Sequence, residues 1–223
     1  MTALLVGGSS EIGMAVLLEL LGPPPRRVVL AGRASVELWT NAEKLRAAGF
    51  DVTTTQYDAT LPTAELDGLD QPLDLAIVAV GAMTSASYSE GIVVNGLSVA
   101  LLLRTLAQRG AKQVVLVSSA AAVRPRPSID AYSLGKQLAD SAALLLARQS
   151  EARVVVVRPG FVGTRMTDGL AKPPLATTPQ QVAKRVRRAL RGRRTVVWVP
   201  WGMGVAVRIL GLVPRRLLPV GWR

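Results

Sequence analysis

The stretch Ala3-Leu4-Leu5-Val6-Gly7-Gly8-Ser9-Ser10-Glu11-Ile12-Gly13 carries an apolar run into a glycine loop, and the loop opens into the strongly apolar segment 11–21. The first part reads as a buried strand and the last as a helix. Gly7 permits a tight turn, small Gly8 and Ser9 let backbone N–H groups approach a pyrophosphate, and Gly13 lets the helix pack close to the sheet. Ser10, Glu11 and Ile12 complete the loop at the helix N-terminus, whose dipole favours an anion. A plain βα turn has the same composition, so the loop marks a dinucleotide site only in company with other residues.

Working outward, apolar and β-branched runs recur at 3–6, 27–31, 52–57, 74–80, 113–117, 154–157 and 195–199. Between them lie the helical patterns 11–21, 36–48, 91–108, 131–149 and 179–191, the last with Thr178 as N-cap, Pro179 at the first position and Gly192 past the end. Strand alternating with helix means right-handed crossovers and an α/β fold: one Rossmann-like, doubly wound domain with a seven-stranded parallel sheet. Residues 1–194 form the dinucleotide-binding catalytic part, and 195–223 the last strand and a basic, apolar C-terminal tail of the same domain. No repeat or linker divides the chain, and the Pro-rich pieces 22–25 and 172–174 read as loops.

The 223 residues contain no His and no Cys. That excludes disulfides, thiol nucleophiles, Ser-His-Asp chemistry and His- or Cys-ligated metals, so no metal site is expected. Lys and Arg number 27 against 15 Asp and Glu. The excess of +12 lies entirely in 169–223, which holds 12 basic residues and no acidic one. Its clusters Lys184-Arg185, Arg187-Arg188 and Arg193-Arg194 lack interleaved aromatics or a known module, which argues against nucleic acid. A solvated basic face and a functional anionic partner both fit them. No segment reads as membrane-spanning, and a strand at the very start leaves no room for a signal peptide, so the cytoplasm is the expected compartment.

The chemistry-bearing residues follow the fifth strand. Ser119 stands just past it, Tyr132 thirteen residues on, and Lys136 four beyond that on a helix. A spacing of four puts phenol and ammonium on one helical face, where the charge is expected to depress the Tyr pKa below its usual value of about 10. Ketone reduction needs such a group: hydride reaches the carbonyl carbon, Tyr132 gives the proton, and Ser119 hydrogen-bonds the oxygen. Arg33, at the end of the second strand, can pair with a 2′-phosphate and leans toward NADPH over NADH, or else stacks on adenine. Asp58 either accepts from an adenine amino group or caps a turn.

With Gly7, Gly13, Asn95, Ser119, Tyr132 and Lys136 in this order, the chain resembles the short-chain dehydrogenase/reductase family over essentially its full length. The resemblance implies that Asn95 supports a water chain to Lys136 and that Lys136 also holds the nicotinamide ribose. It further implies that Pro159, Gly160, Val162 and Thr164, after the sixth strand, line the nicotinamide and phosphates, with Gly81 beside the cofactor. The chain departs from the family pattern at Glu11, where a Gly is usual, at Val6, and at Val78-Ala79-Val80-Gly81.

The glycine loop, Arg158-Pro159-Gly160 through Thr164-Arg165-Met166, Val197-Trp198-Val199-Pro200 and Val213-Pro214-Arg215-Arg216 are similar to one branch of that family, the reductases of decaprenylphosphoryl-2-keto-ribose. That likeness implies a lipid-linked keto-sugar substrate of cell-wall arabinan synthesis and a flavin-dependent oxidase partner with which the reductase forms an epimerase pair.

The tail carries Trp198, Trp201 and Trp222 among Val205, Val207, Ile209, Leu210, Leu212, Val213, Leu217 and Leu218, with Arg208, Arg215, Arg216 and Arg223 between. Such a segment suits a membrane interface, giving peripheral membrane association; packing on the substrate pocket or on a second subunit of a homo-oligomer is the alternative. Pro214 and Pro219 prevent one long helix. Two further functions stay open: reduction of a soluble or acyl-carrier-linked ketone, and a non-catalytic dinucleotide-binding adaptor acting through its basic tail.

Overall fold

Strand β1 (Thr2–Val6) alternates strictly: Leu4 and Val6 enter the core on one face of the sheet, Ala3 and Leu5 the core on the other. Burial on both faces is what a central parallel strand requires, and each fully buried Leu contributes about 2 kcal/mol. This computed structural model describes residues 1–62, 66 and 72–212, with backbone alone at 208 and 210–212.

The remaining strands are β2 (Arg27–Gly32), β3 (Asp51–Gln56), β4 (Leu75–Val78), β5 (Gln113–Val117), β6 (Arg153–Pro159) and β7 (Val196–Val199). All are parallel, in the order β3-β2-β1-β4-β5-β6-β7. The order reverses between β1 and β4, so the crevice for a ligand opens at their carboxyl ends. Helices α1 (Glu11–Leu21), α2 (Val36–Ala47) and α6 (Pro179–Arg191) pack on one face through Leu17, Leu38, Leu45 and Val186. Helices α4 (Ser98–Gln108) and α5 (Asp130–Gln149) pack on the other through Leu103, Leu106, Ala139 and Ala143.

The expected boundaries shift where side chains take over backbone partners. Strand β4 stops at Val78, short of Val80, because the Val80 carbonyl is taken by Lys136. The helix expected at 91–108 begins earlier, at α3 (Tyr88–Ile92), since the Ser87 hydroxyl caps it by accepting from Glu90 N at 3.1 Å. It passes through a π-helical turn, Val93–Leu97, before α4, a local widening often found at functional sites. Thr178 caps α6 as expected, reinforced by Gln181, whose side chain accepts from Thr178 N at 2.9 Å.

Residues Tyr88–Gln108 are long and apolar enough to cross a bilayer by length and composition alone, but half of that stretch is buried inside the fold, as in a core helix. The tail is partly helical: α7 (Met203–Leu212) packs against β7, where Gly204 admits the Trp198 ring. Residues 213–223, with Val213, Pro214, Arg215, Arg216, Leu217, Leu218, Pro219, Trp222 and Arg223, lie outside the described residues, as do the side chains of Arg208, Leu210 and Leu212.

Candidate active site

Ser119 leaves β5 as the N-cap of a single 3-10 turn, Ala120–Ala122, and its Oγ accepts from Ala121 N at 3.1 Å. That bond orients the hydroxyl and leaves its proton to donate. Helix α5 brings Tyr132 opposite, within hydrogen-bonding reach of Ser119. One turn on, Lys136 is buried, its Nζ 5.8 Å from the Tyr132 ring centroid. The ammonium donates to Val80 O at 2.7 Å, just past β4, and to Val117 O at 3.1 Å, at the end of β5.

The electrostatics correct one expectation. The Tyr132 pKa is raised, because burial of the phenolate outweighs the hydrogen bond from Ser119 and the attraction of Arg126. Lys136 was expected to depress it, yet that ammonium is spent on two carbonyls and is itself pushed down to about 8 by burial, with Asp140 opposing. Tyr132 is therefore neutral near pH 7, the form a proton donor requires.

Asn95 is fully buried in the π-helical turn. Its Oδ1 accepts from Ala82 N at 2.9 Å, and its Nδ2 donates to Ala82 O at 2.9 Å and Gly91 O at 2.8 Å. It acts as a positioning residue that fastens the chain after β4. Gly81 lies between the two groups: a Cβ there would meet Lys136 Nζ at 3.0 Å and Asn95 Oδ1 at 3.2 Å.

The glycine loop joins β1 to α1 at the switch point. Gly7 has φ 91°, and a Cβ would stand 2.6 Å from Ala79 O, so only glycine fits. Ser10 caps α1, accepting from Gly13 N at 3.1 Å. With Gly8, Ser9 and Ile12 these residues shape a backbone cradle at a helix N-terminus, which fits a dinucleotide pyrophosphate. Arg33 is exposed just past β2. Asp58 caps the turn after β3: Oδ1 accepts from Thr60 N at 3.0 Å and from its hydroxyl at 2.9 Å, and Arg33 adds to the lowering of its pKa. Pro159 ends β6 and Gly160 follows it, Val162 is buried, and Thr164 caps the turn that follows, its N–H donating to Thr167 Oγ1 at 3.1 Å.

This set of placements, one loop for a dinucleotide and one Ser-Tyr-Lys cluster across the same crevice, agrees with the match of residues 1–174 to the short chain dehydrogenase family model. The chain is a short-chain dehydrogenase. It is thus an oxidoreductase of the nicotinamide-dinucleotide type. It is 32% identical over 231 residues to an uncharacterized oxidoreductase of Mycobacterium tuberculosis, covering 94% of this chain and 92% of the relative. It is also 32% identical over 237 residues to an uncharacterized oxidoreductase of Streptomyces coelicolor, covering 96% and 93%. Among solved structures, a short-chain dehydrogenase from Sphingobium yanoikuyae in complex with NADPH shares the fold, with a TM-score of 0.75, 20% identity and 98% of each chain covered.

The short-chain dehydrogenase holds functional-site residues that sequence reasoning passed over. Asp140 is buried one turn beyond Lys136; its Oδ1 accepts from Ser118 Oγ at 2.6 Å, and both its oxygens accept from Arg158. The spacing Tyr132, Lys136, Asp140 repeats at four and was the available signal. Arg126 interacts with the phenol electrostatically, its backbone N–H donating to Ser133 Oγ at 3.2 Å, and nothing in its Pro-flanked stretch announced that. Among the described residues no cluster suited to a metal ion occurs.

Proposed function

We propose that this short-chain dehydrogenase reduces the 2-keto group of a polyprenyl-phospho-pentose, a step of arabinan precursor synthesis for the cell wall. The observation that carries the reading is an exposed apolar row along α7 and the turn just before it. Trp201 in that turn and Val205 and Ile209 on α7 stand four residues apart and are 71%, 47% and 58% exposed, while α7 itself packs against the 3-10 turn that Ser119 caps. A lipid-bearing substrate fits an apolar surface that adjoins the reactive hydroxyl. Arg126 supports the same substrate, since a phosphate one carbon from the ketone finds a cation beside the phenol.

In this mechanism the bound nicotinamide dinucleotide, NADPH or NADH, supplies the hydride that reaches C2. The Gly7–Gly13 loop, Lys136 and Thr164 would hold it. Ser119 donates a hydrogen bond to the keto oxygen, and Tyr132 Oη transfers its proton to that oxygen as negative charge develops there. The hydrogen bond from Ser119 and the Arg126 charge stabilise the phenolate left behind until solvent returns a proton.

The partner readings follow from the substrate. A flavin-dependent oxidase supplies the ketone, and the two enzymes together invert the pentose carbon. The basic face of α6 with the α7 row holds the enzyme peripherally at a membrane on the cytoplasmic side. A second copy of the chain fits the exposed Leu101 of α4 and Leu138 of α5, giving a homo-oligomer. The test is cofactor oxidation with polyprenyl-phospho-2-keto-pentose beside a panel of acyl-carrier, steroid and soluble sugar ketones. Turnover of the lipid-linked ketone well above the panel is expected; preference for an acyl or soluble ketone would overturn the substrate, and no turnover of any ketone would favour the adaptor reading.

A further inference from the structure

A carboxylate in a phosphate-binding loop works against it, because it competes with the ligand for the positive end of the helix. Glu11 is such a carboxylate, in the first turn of α1. The structure turns it aside. Glu11 Oε2 accepts from the backbone N–H of Arg165 at 2.7 Å and lies 3.6 Å from Arg165 Nε. The same guanidinium donates to Ser9 O at 2.9 Å and pairs with Glu37 in the first turn of α2. Arg165 thus ties the loop after β6 to the glycine loop and to α2 at once. It brings one positive charge to two carboxylates.

We propose that Arg165 is the positioning residue that lets a glutamate-bearing glycine loop hold a dinucleotide: it offsets part of the Glu11 charge and keeps that side chain off the pyrophosphate cradle. The inference rests on the dinucleotide reading of the loop. Arg165 acts through Glu11, and removal of the arginine exposes the anionic ligand to two carboxylates. Removal of the Glu11 charge alone harms nothing, since the amide of Gln still accepts from Arg165 N. A mere strut between two loops would instead be weakened equally from either end.

The test is direct binding of NADH and NADPH to the full-length protein by fluorescence titration, with unfolding midpoints measured in parallel. Arg165→Ala is expected to raise Kd about fivefold at low salt, with the deficit shrinking as salt rises. Glu11→Gln is expected to bind at least as tightly as the wild type, and Glu11→Gln with Arg165→Ala to recover much of the loss. Arg165→Gln, which keeps a donor without the charge, supplies the same comparison should the Ala variant fold poorly. Unchanged Kd in both Arg165 variants overturns the proposal, as does weakening by Glu11→Gln equal to that by Arg165→Ala. Absence of binding by the wild type overturns the dinucleotide reading itself, and the proposal with it.

Discussion

Asp140 and Arg158 form a two-pronged pair beneath the catalytic helix, Nη2 donating to Oδ2 at 2.6 Å and Nε to Oδ1 at 3.0 Å. The side chains are 6% and 14% exposed, so water screens the pair little. Ser118 donates to the same carboxylate, and the guanidinium lies 5.3 Å from the Trp198 ring centroid. The network therefore links β5, α5, β6 and β7 below the reacting groups. Asp140→Ala leaves Arg158 buried without its partner and is expected to destabilise the fold by about 3–5 kcal/mol in denaturant unfolding. A loss under about 1 kcal/mol would show that the network contributes little.

Tyr132→Phe removes the hydroxyl assigned to give the ketone its proton while keeping ring packing on α5. Keto reduction is expected to fall by about a thousandfold. Binding of NADH or NADPH, read by fluorescence, is expected to stay within twofold of wild type, about 0.4 kcal/mol. Full activity in this variant would end the proton-donor assignment of Tyr132, whatever the substrate.

Lys136 sets the pH response. Its pKa of about 8 lies below the unfolded value of 10.5, so the unfolded chain binds the extra proton as pH rises between the two. Stability is then expected to increase from pH 8 toward 10, by an amount on the order of 3 kcal/mol, and Lys136→Met to flatten that rise. Activity is expected to move the opposite way, since above pH 8 Lys136 loses the charge with which it fastens the chain after β4 to the end of β5. Parallel urea melts and initial rates across this range separate the two effects. A wild-type stability curve as flat as that of Lys136→Met would contradict the depressed pKa.

The order of strands and helices was legible because each carries its own period and its own caps, as Thr178 and Pro179 show at α6. Ser119, Tyr132 and Lys136 were legible because two of them share a helical face and the third stands just past a strand. What stayed hidden depends on distance across the fold. The Tyr132 pKa answers to burial, which no spacing reports, and so rises where a neighbouring Lys promised a fall. Arg165 meets Glu11 across 154 positions of sequence, and Asp140 meets Arg158 across 18. Pro214 and Pro219 argued only against one long helix in the tail, and α7 occupies residues 203–212 before them.

The membrane reading makes a claim about two surfaces. Lys184, Arg188 and Arg191 are exposed on α6, and Trp201 and Ile209 are exposed around α7. Flotation with vesicles containing anionic lipid is expected to recover the protein at low salt and to lose it as salt rises, because each cation near such a surface contributes about 1 kcal/mol that screening removes. Replacing Lys184, Arg188 and Arg191 together by Gln is expected to weaken recovery on anionic vesicles at every salt concentration. Replacing Trp201 and Ile209 by Ser is expected to weaken what binding survives high salt, which is the apolar part. The two sets act on different forces and so have different salt signatures. Equal recovery on neutral and anionic vesicles would remove the electrostatic claim, and equal recovery without lipid would remove the membrane from the account altogether.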